Sequence, residues 1–182
     1  NLGRVQIWVY RNHGGRRFER MLLVDDPSRD VSWNGGMSVE WIDLDADGDL
    51  DLAVGPKYLF ENTSDGSFRP GFASSGLTTS AQGVWGDCDG DGDLDYLTTS
   101  GLFENRGEGQ FVDASSRAGL GNTWMGRRYM AAWIDFDLDG DLDVVEGGYS
   151  SAWRSYWTRA LRNDGKGQFQ EISGALGLSL GS

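Results

Sequence analysis

Fifteen aspartates fall in three runs where carboxylates alternate with other residues: Asp43, Asp45, Asp47, Asp49 and Asp51; Asp87, Asp89, Asp91, Asp93 and Asp95; Asp135, Asp137, Asp139, Asp141 and Asp143. Alternating oxygens around a tight turn suit a hard cation, since calcium takes about six to eight oxygen ligands from carboxylates, carbonyls and water. Counting the first aspartate of each run as position 1, positions 1, 3 and 5 can turn their carboxylates inward. Glycine at position 6 (Gly48, Gly92, Gly140) allows the sharp turn, position 7 can offer a carbonyl, and the aspartate at position 9 can close the shell. Four carboxylates converging without a cation would repel one another strongly. Three calcium sites are therefore expected. The leucines at position 8 (Leu50, Leu94, Leu142) are expected to anchor the loops in the core.

An EF-hand requires a bidentate carboxylate at position 12. The third run has Glu146 there, but the first two have Val54 and Thr98, and the flanking segments read as strands. That reading is rejected. Other chemistry finds little material. His13 is the single histidine and Cys88 the single cysteine, so neither a zinc pattern nor an intrachain disulfide can form. No glycine-rich phosphate loop or nucleophile elbow occurs. The calcium reading uses the paired carboxylates as ligands, and the chain is expected not to be an enzyme.

The net charge of -12 has the same origin. Setting the fifteen clustered aspartates apart from the 28 acids leaves 13 acids against 16 bases, so the remainder is slightly basic. No nucleic-acid partner is expected of such a chain. No apolar run approaches the roughly 20 residues that span a membrane.

The elements that must position the loops are repeated with them. Each run is preceded by Trp-x-Asp, from Trp41, Trp85 and Trp133, and the first aspartates are spaced by 44 and 48 residues. A second repeated segment places an aromatic residue or leucine two before an asparagine, then a glycine turn and a phenylalanine: YRNHGGRRF from Tyr10, FENTSDGSF from Phe60, FENRGEGQF from Phe103 and LRNDGKGQF from Leu161. Gly-Leu pairs follow, ending at Leu77, Leu120 and Leu178. A period near 45 residues with two turn types per unit matches a four-stranded blade. In the second unit the strands read GVW, LDYLTT, GLFEN and QFVDAS, short and rich in β-branched or aromatic residues. The expected fold is all-β: β-propeller blades of four antiparallel strands, with a partial blade in 1–30 and blades in 31–78, 79–122 and 123–182. Three complete blades and a half are fewer than a usual closed ring, so a larger ring is expected.

Together, Trp-x-D-x-D-x-D-G-D-L-D, F-E-N-x-G-x-G-x-F and A-G-L resemble the FG-GAP/VCBS repeat family from about Tyr10 to Leu178. The resemblance implies the propeller fold of integrin α-subunits and bacterial secreted proteins. It also implies calcium in the hairpin between each blade's first two strands, held by side chains at positions 1, 3, 5 and 9 and by the backbone oxygen of Asp49, Asp93 and Asp141. A secreted, extracellular or periplasmic location follows from it, with a protein partner, adhesion or scaffolding in a larger assembly as the function. A carbohydrate-binding module, or a non-catalytic domain of a secreted hydrolase or lyase, is the alternative.

The third unit departs from the pattern. Its first aspartate lies 28 residues before its asparagine, against 19 and 18 in the others, which marks an insertion near 147–160. Residues 151–162 read as a short helix or an elaborated strand pair. Tyr149, Trp153, Arg154, Tyr156 and Trp157, with Arg159 beside them, are the candidate ligand-binding patch, since exposed aromatics with arginine suit sugar or protein surfaces. Trp41, Trp85 and Trp133 share one repeat position and are expected in the core. Asn62-Thr63-Ser64 forms a glycosylation sequon, meaningful in a eukaryotic secretory setting.

Overall fold

A computed structural model describes residues 5–26, 38–55, 58–63, 65–70, 76–77, 82–98, 100–120, 127–150 and 154–178. These residues form strands and turns without a helix, and none is long and apolar enough to cross a membrane as a helix. Strands β1 (Val5–Asn12) and β2 (Phe18–Asp26) make an antiparallel hairpin. Three four-stranded antiparallel meanders follow. The first blade is β3 (Val39–Ile42), β4 (Asp51–Val54), β5 (Tyr58–Asn62) and β6 (Phe68–Pro70). The second is β7 (Gly83–Gly86), β8 (Asp95–Thr98), β9 (Leu102–Asn105) and β10 (Phe111–Asp113). The third is β11 (Arg127–Ile134), β12 (Asp143–Ser150), β13 (Ser155–Asn163) and β14 (Phe169–Glu171). The expected blades and half blade are thus formed, and residues 155–162 belong to a strand pair.

The core lies between blades because side chains alternate along each strand. Phe103 faces back, joining Tyr96 and Phe111 against Leu44, Ala53 and Leu59 of the first blade. Its neighbour Leu102 faces forward, joining Leu97, Ala118 and Leu120 against Val144, Leu161 and Phe169 of the third. A third cluster seats Ile7 of the hairpin on Leu52, Val54 and Phe60. The first and second blades therefore each bury apolar side chains on both faces, and no blade completes its core alone.

The repeated tryptophans pack at these boundaries unequally. Trp133 donates its indole N–H to the Val84 carbonyl at 3.2 Å and lies over Gly86, where a Cβ would come within 2.7 Å of the ring. Trp85 packs on Tyr96 and Phe111, with ring centroids 4.2 and 5.9 Å away. Trp41 lies 5.9 Å from Phe68 but is half-exposed, contrary to the expected core position. The cause is its neighbour: the hairpin before the first blade supplies no counterpart of β7 among the described residues. The Gly-Leu pairs also serve the boundaries. Phe169 donates its backbone N–H to the Ala118 carbonyl at 3.0 Å, and a Cβ on Gly119 would sit 2.9 Å from the Phe169 carbonyl.

Candidate metal centres

Each aspartate run connects the first two strands of its blade, and its glycine at position 6 has the positive φ expected (92°, 96° and 98° at Gly48, Gly92 and Gly140). The glycine N–H donates to the position-1 carboxylate: Gly48 to Asp43 at 3.1 Å, Gly92 to Asp87 at 3.0 Å and Gly140 to Asp135 at 3.2 Å. Position 9 is fully buried. Asp51 accepts backbone N–H groups from Leu44 at 2.9 Å and Asn62 at 2.8 Å. Asp95 accepts from Cys88 and Asn105, and Asp143 from Phe136 and Asn163. One carboxylate thus ties the start of the loop to the third strand.

The structure brings positions 1, 3 and 9 together in all three loops. Oxygens of Asp43, Asp45 and Asp51 lie within 4.8 Å of one another, as do those of Asp87, Asp89 and Asp95, and of Asp135, Asp137 and Asp143. Position 5 stands outside these sets, with Asp47, Asp91 and Asp139 accepting the N–H of position 7 (Asp49, Asp93 and Asp141) at 2.8, 2.9 and 3.1 Å. In every loop one buried carboxylate oxygen has no hydrogen-bond donor: Oδ1 of Asp43, of Asp89 and of Asp135. A buried, unpartnered anionic oxygen is costly, and a divalent cation would satisfy it. The donor set is all oxygen, which suits a hard ion such as calcium. The residues present therefore fit the group.

Electrostatics agree. Burial pushes Asp51 and Asp95 up to about 6 from the ordinary 3.8. Burial first, and a neighbouring carboxylate second, also raise Asp45, Asp93 and Asp137. Desolvation holds Asp89 up as well, aided by Glu104.

Glu104 was not evident from spacing. It is buried, paired with Arg106 at 3.0 Å and with Arg117, which reaches the Lys166 carbonyl of the next blade at 3.4 Å. Glu61 holds the same place beside the first loop, bonded to Arg69. In the third blade the place is taken by Arg162, 4.0 Å from Asp137. The one available signal was the contrast between F-E-N and L-R-N.

The loop anchors are corrected too. Leu50 is exposed and Leu94 and Leu142 only half-buried, while the position-2 residues Leu44 and Cys88 are fully buried. Position 8 contributes its carbonyl instead: the Asn62 side-chain amide donates to the Leu50 carbonyl at 3.1 Å and that of Asn163 to the Leu142 carbonyl at 2.9 Å. Cys88 is a packing residue, its thiol pushed up by burial and out of reactive range.

The proposed ligand patch is divided by the strand period. The insertion lengthens the β12–β13 hairpin, pairing Tyr149 with Tyr156 edge-on at 5.3 Å, and Tyr156 is exposed. Arg154 is exposed at the hairpin end with φ of 53°. Trp157 points to the opposite face and is buried, so it does not join Tyr156. Arg159 is also buried, bonded to Glu146 at 2.8 Å and to Glu171 at 3.3 Å. Trp153 lies outside the described residues.

No protein-family profile matches the chain, and no curated protein sequence matches it. Among solved structures it is similar to a lectin from Agrocybe aegerita, described by its specific recognition of non-reducing terminal N-acetylglucosamine. The identity is 22% and the TM-score 0.51, over 90% of this chain and 44% of the lectin chain. This likeness shows the fold, and the chain spans less than half the length of that structure.

Proposed function

We propose that the chain is a non-catalytic carbohydrate-binding module built on a calcium-stabilised propeller frame of the FG-GAP/VCBS type. The carrying observation is the triple recurrence of an aspartate set with one unsatisfied buried oxygen. Bound calcium would supply the positive charge that these oxygens lack. Positions 1, 3 and 9 would hold it, with the position-5 carboxylate and the position-7 carbonyl completing the shell as the loop closes. Calcium at the millimolar levels found outside cells would fill even weak sites, which fits a secreted or periplasmic setting. By mass action it stabilises the fold. Thermal melts with calcium and with chelator test the frame, and identical melting temperatures would sink it.

The carbohydrate reading is supported by the likeness to a lectin over nine-tenths of the chain and by the Tyr149–Tyr156 pair on the lengthened hairpin, in which Tyr156 is exposed and Tyr149 half-buried. Aromatic faces flanked by polar groups suit sugar rings. A glycan array with calcium present, repeated with Tyr156→Ala, tests it. Binding that is absent, or that is unchanged in the variant, rejects this assignment. A protein-scaffolding role is the second reading, favoured by the exposed inter-blade face of the β1–β2 hairpin.

A further inference from the structure

We propose that Arg117 couples the second aspartate loop to the boundary between the second and third blades, so that an ion in that loop and the seating of the third blade strengthen each other. The inference rests on the calcium reading above and adds residues outside the loop itself. Its centre is Glu104, whose side chain is 1% exposed. Arg106 grips both of its oxygens, at 3.0 Å each, and Arg117 adds a further bond to one of them. Glu104 also meets the Asp89 carboxyl, the position-3 member of the loop's oxygen set.

Asp89 differs from its counterparts. In the first and third loops the buried oxygen without a donor belongs to position 1, on Asp43 and Asp135, whereas in the second it belongs to position 3, on Asp89. Two carboxylates in contact repel, and a cation on the bare oxygen of Asp89 would replace that repulsion with attraction to both. An ion in the loop therefore settles Glu104 where the two guanidinium groups hold it.

Arg117 carries this effect across the boundary. Its guanidinium donates to the Lys166 carbonyl at 3.4 Å, in the β13–β14 turn of the third blade. That turn lies on the second loop: a Cβ on Gly167 would sit 3.4 Å from the Cys88 sulfur, 3.6 Å from the Asp89 Cβ and 3.8 Å from the Arg117 guanidinium. One residue further along, the Ala118 carbonyl accepts the Phe169 N–H at 3.0 Å. Loop, buried carboxylate and neighbouring blade thus meet at one guanidinium, and linkage makes the coupling reciprocal.

The other two units are built without this bridge. Counting back from the Gly-Leu pair, Ser74 and Ala175 stand at the repeat position of Arg117, and neither offers a charged fork. Glu61 is the first unit's counterpart of Glu104, but its arginine, Arg69, comes from the adjacent strand of the same blade. The third unit has Arg162 in place of the glutamate. The coupling therefore belongs to the second loop.

Calcium titrations of the full chain and of Arg117→Gln test it. The Arg117 side chain is 42% exposed, so the variant removes the bridge with little loss of packing. The sign of the change is decisive: losing a nearby cation alone would tighten calcium binding, whereas losing the bridge weakens it. One of the three sites should weaken by about fivefold. Calcium should also slow hydrogen exchange at the Phe169 N–H less in the variant than in the native chain. Arg69→Gln, which removes an arginine bonded within its own blade, should leave affinity unchanged or tighter. Unchanged or tighter binding in Arg117→Gln, equal slowing at Phe169, or equal weakening in Arg69→Gln overturns the coupling and leaves the calcium reading intact. A native chain that takes up no calcium overturns the calcium reading itself, and the coupling with it.

Discussion

The side-chain amide of Asn163 donates to the Cys88 carbonyl at 2.7 Å, joining residues 75 positions apart across the boundary between the second and third blades. The same amide holds the Leu142 carbonyl of its own loop, and its backbone N–H holds Asp143. One buried side chain therefore fastens two aspartate loops to one strand.

Replacing it should be costly. Asn163→Ala strips the hydrogen bond from two carbonyls at a buried boundary, at about 1–3 kcal/mol for an unsatisfied buried group. Asn62→Ala removes a single bond in a more exposed setting and should cost less. Urea denaturation of both variants with calcium present gives the comparison, and equal losses would contradict the bridging role.

Calcium affinity should differ among the loops. Arg162 puts a cation 4.0 Å from Asp137, where the other blades have Glu61 and Glu104. Arg162→Gln should tighten binding at the third loop by up to about fivefold, corresponding to about 1 kcal/mol for a solvent-screened charge. Isothermal titration would show this as the weakest of three sites moving toward the others.

Stability should respond to pH in opposite senses with and without metal. Asp51 and Asp95 titrate in the folded chain at about 6, above the 3.8 of an unperturbed aspartate, because they are buried. The folded state therefore binds protons that the unfolded state has released. Without metal, the stabilisation from these two groups is fully present below about pH 4 and is lost as pH rises through about 6. Calcium requires the ionised carboxylates, so its stabilising increment should shrink as pH falls through the same window. Melts at about pH 5 and about pH 7 in chelator and in calcium would show the calcium increment larger at the higher pH.

Backbone strain separates the loops at position 4. Ala46 and Leu138 adopt φ of 59° and 62°, where the second loop has Gly90 at 75°. Left-handed geometry costs a non-glycine residue about 1–2 kcal/mol. Leu138 is exposed and gives up no packing, so Leu138→Gly should be neutral to stabilising by about 1 kcal/mol after the entropy of glycine is counted. Gly90→Leu should destabilise by about 1–2 kcal/mol. Thermal melts of the pair would reveal the asymmetry.

The loops and blades were legible because clustered oxygen donors and hairpin turns impose residue types at set spacings, which a sequence displays directly. What stayed hidden depends on neighbours. Leu50 and Leu44 are both leucines in one loop, and only packing against the second blade decides that Leu44 is the buried one. Trp41, Trp85 and Trp133 share a motif, yet their burial follows from the strand each meets on the blade before it. Glu146 stands where an EF-hand would place a ligand, but it pairs with Arg159 across the β12–β13 ladder, a partner set by register. Tyr156 and Trp157 were grouped as neighbours in sequence, and adjacency in a strand sends them to opposite faces.

The asparagine ties have a consequence for how the chain comes apart. The loops of the first two blades are gripped by the asparagine of the blade after them, Leu44 by Asn105 and Cys88 by Asn163, so disturbing one loop weakens the seat of the next. Such an array behaves as a line of coupled units, with stability set by nearest-neighbour terms. Melting should then spread from whichever boundary loosens first to the blades on either side of it.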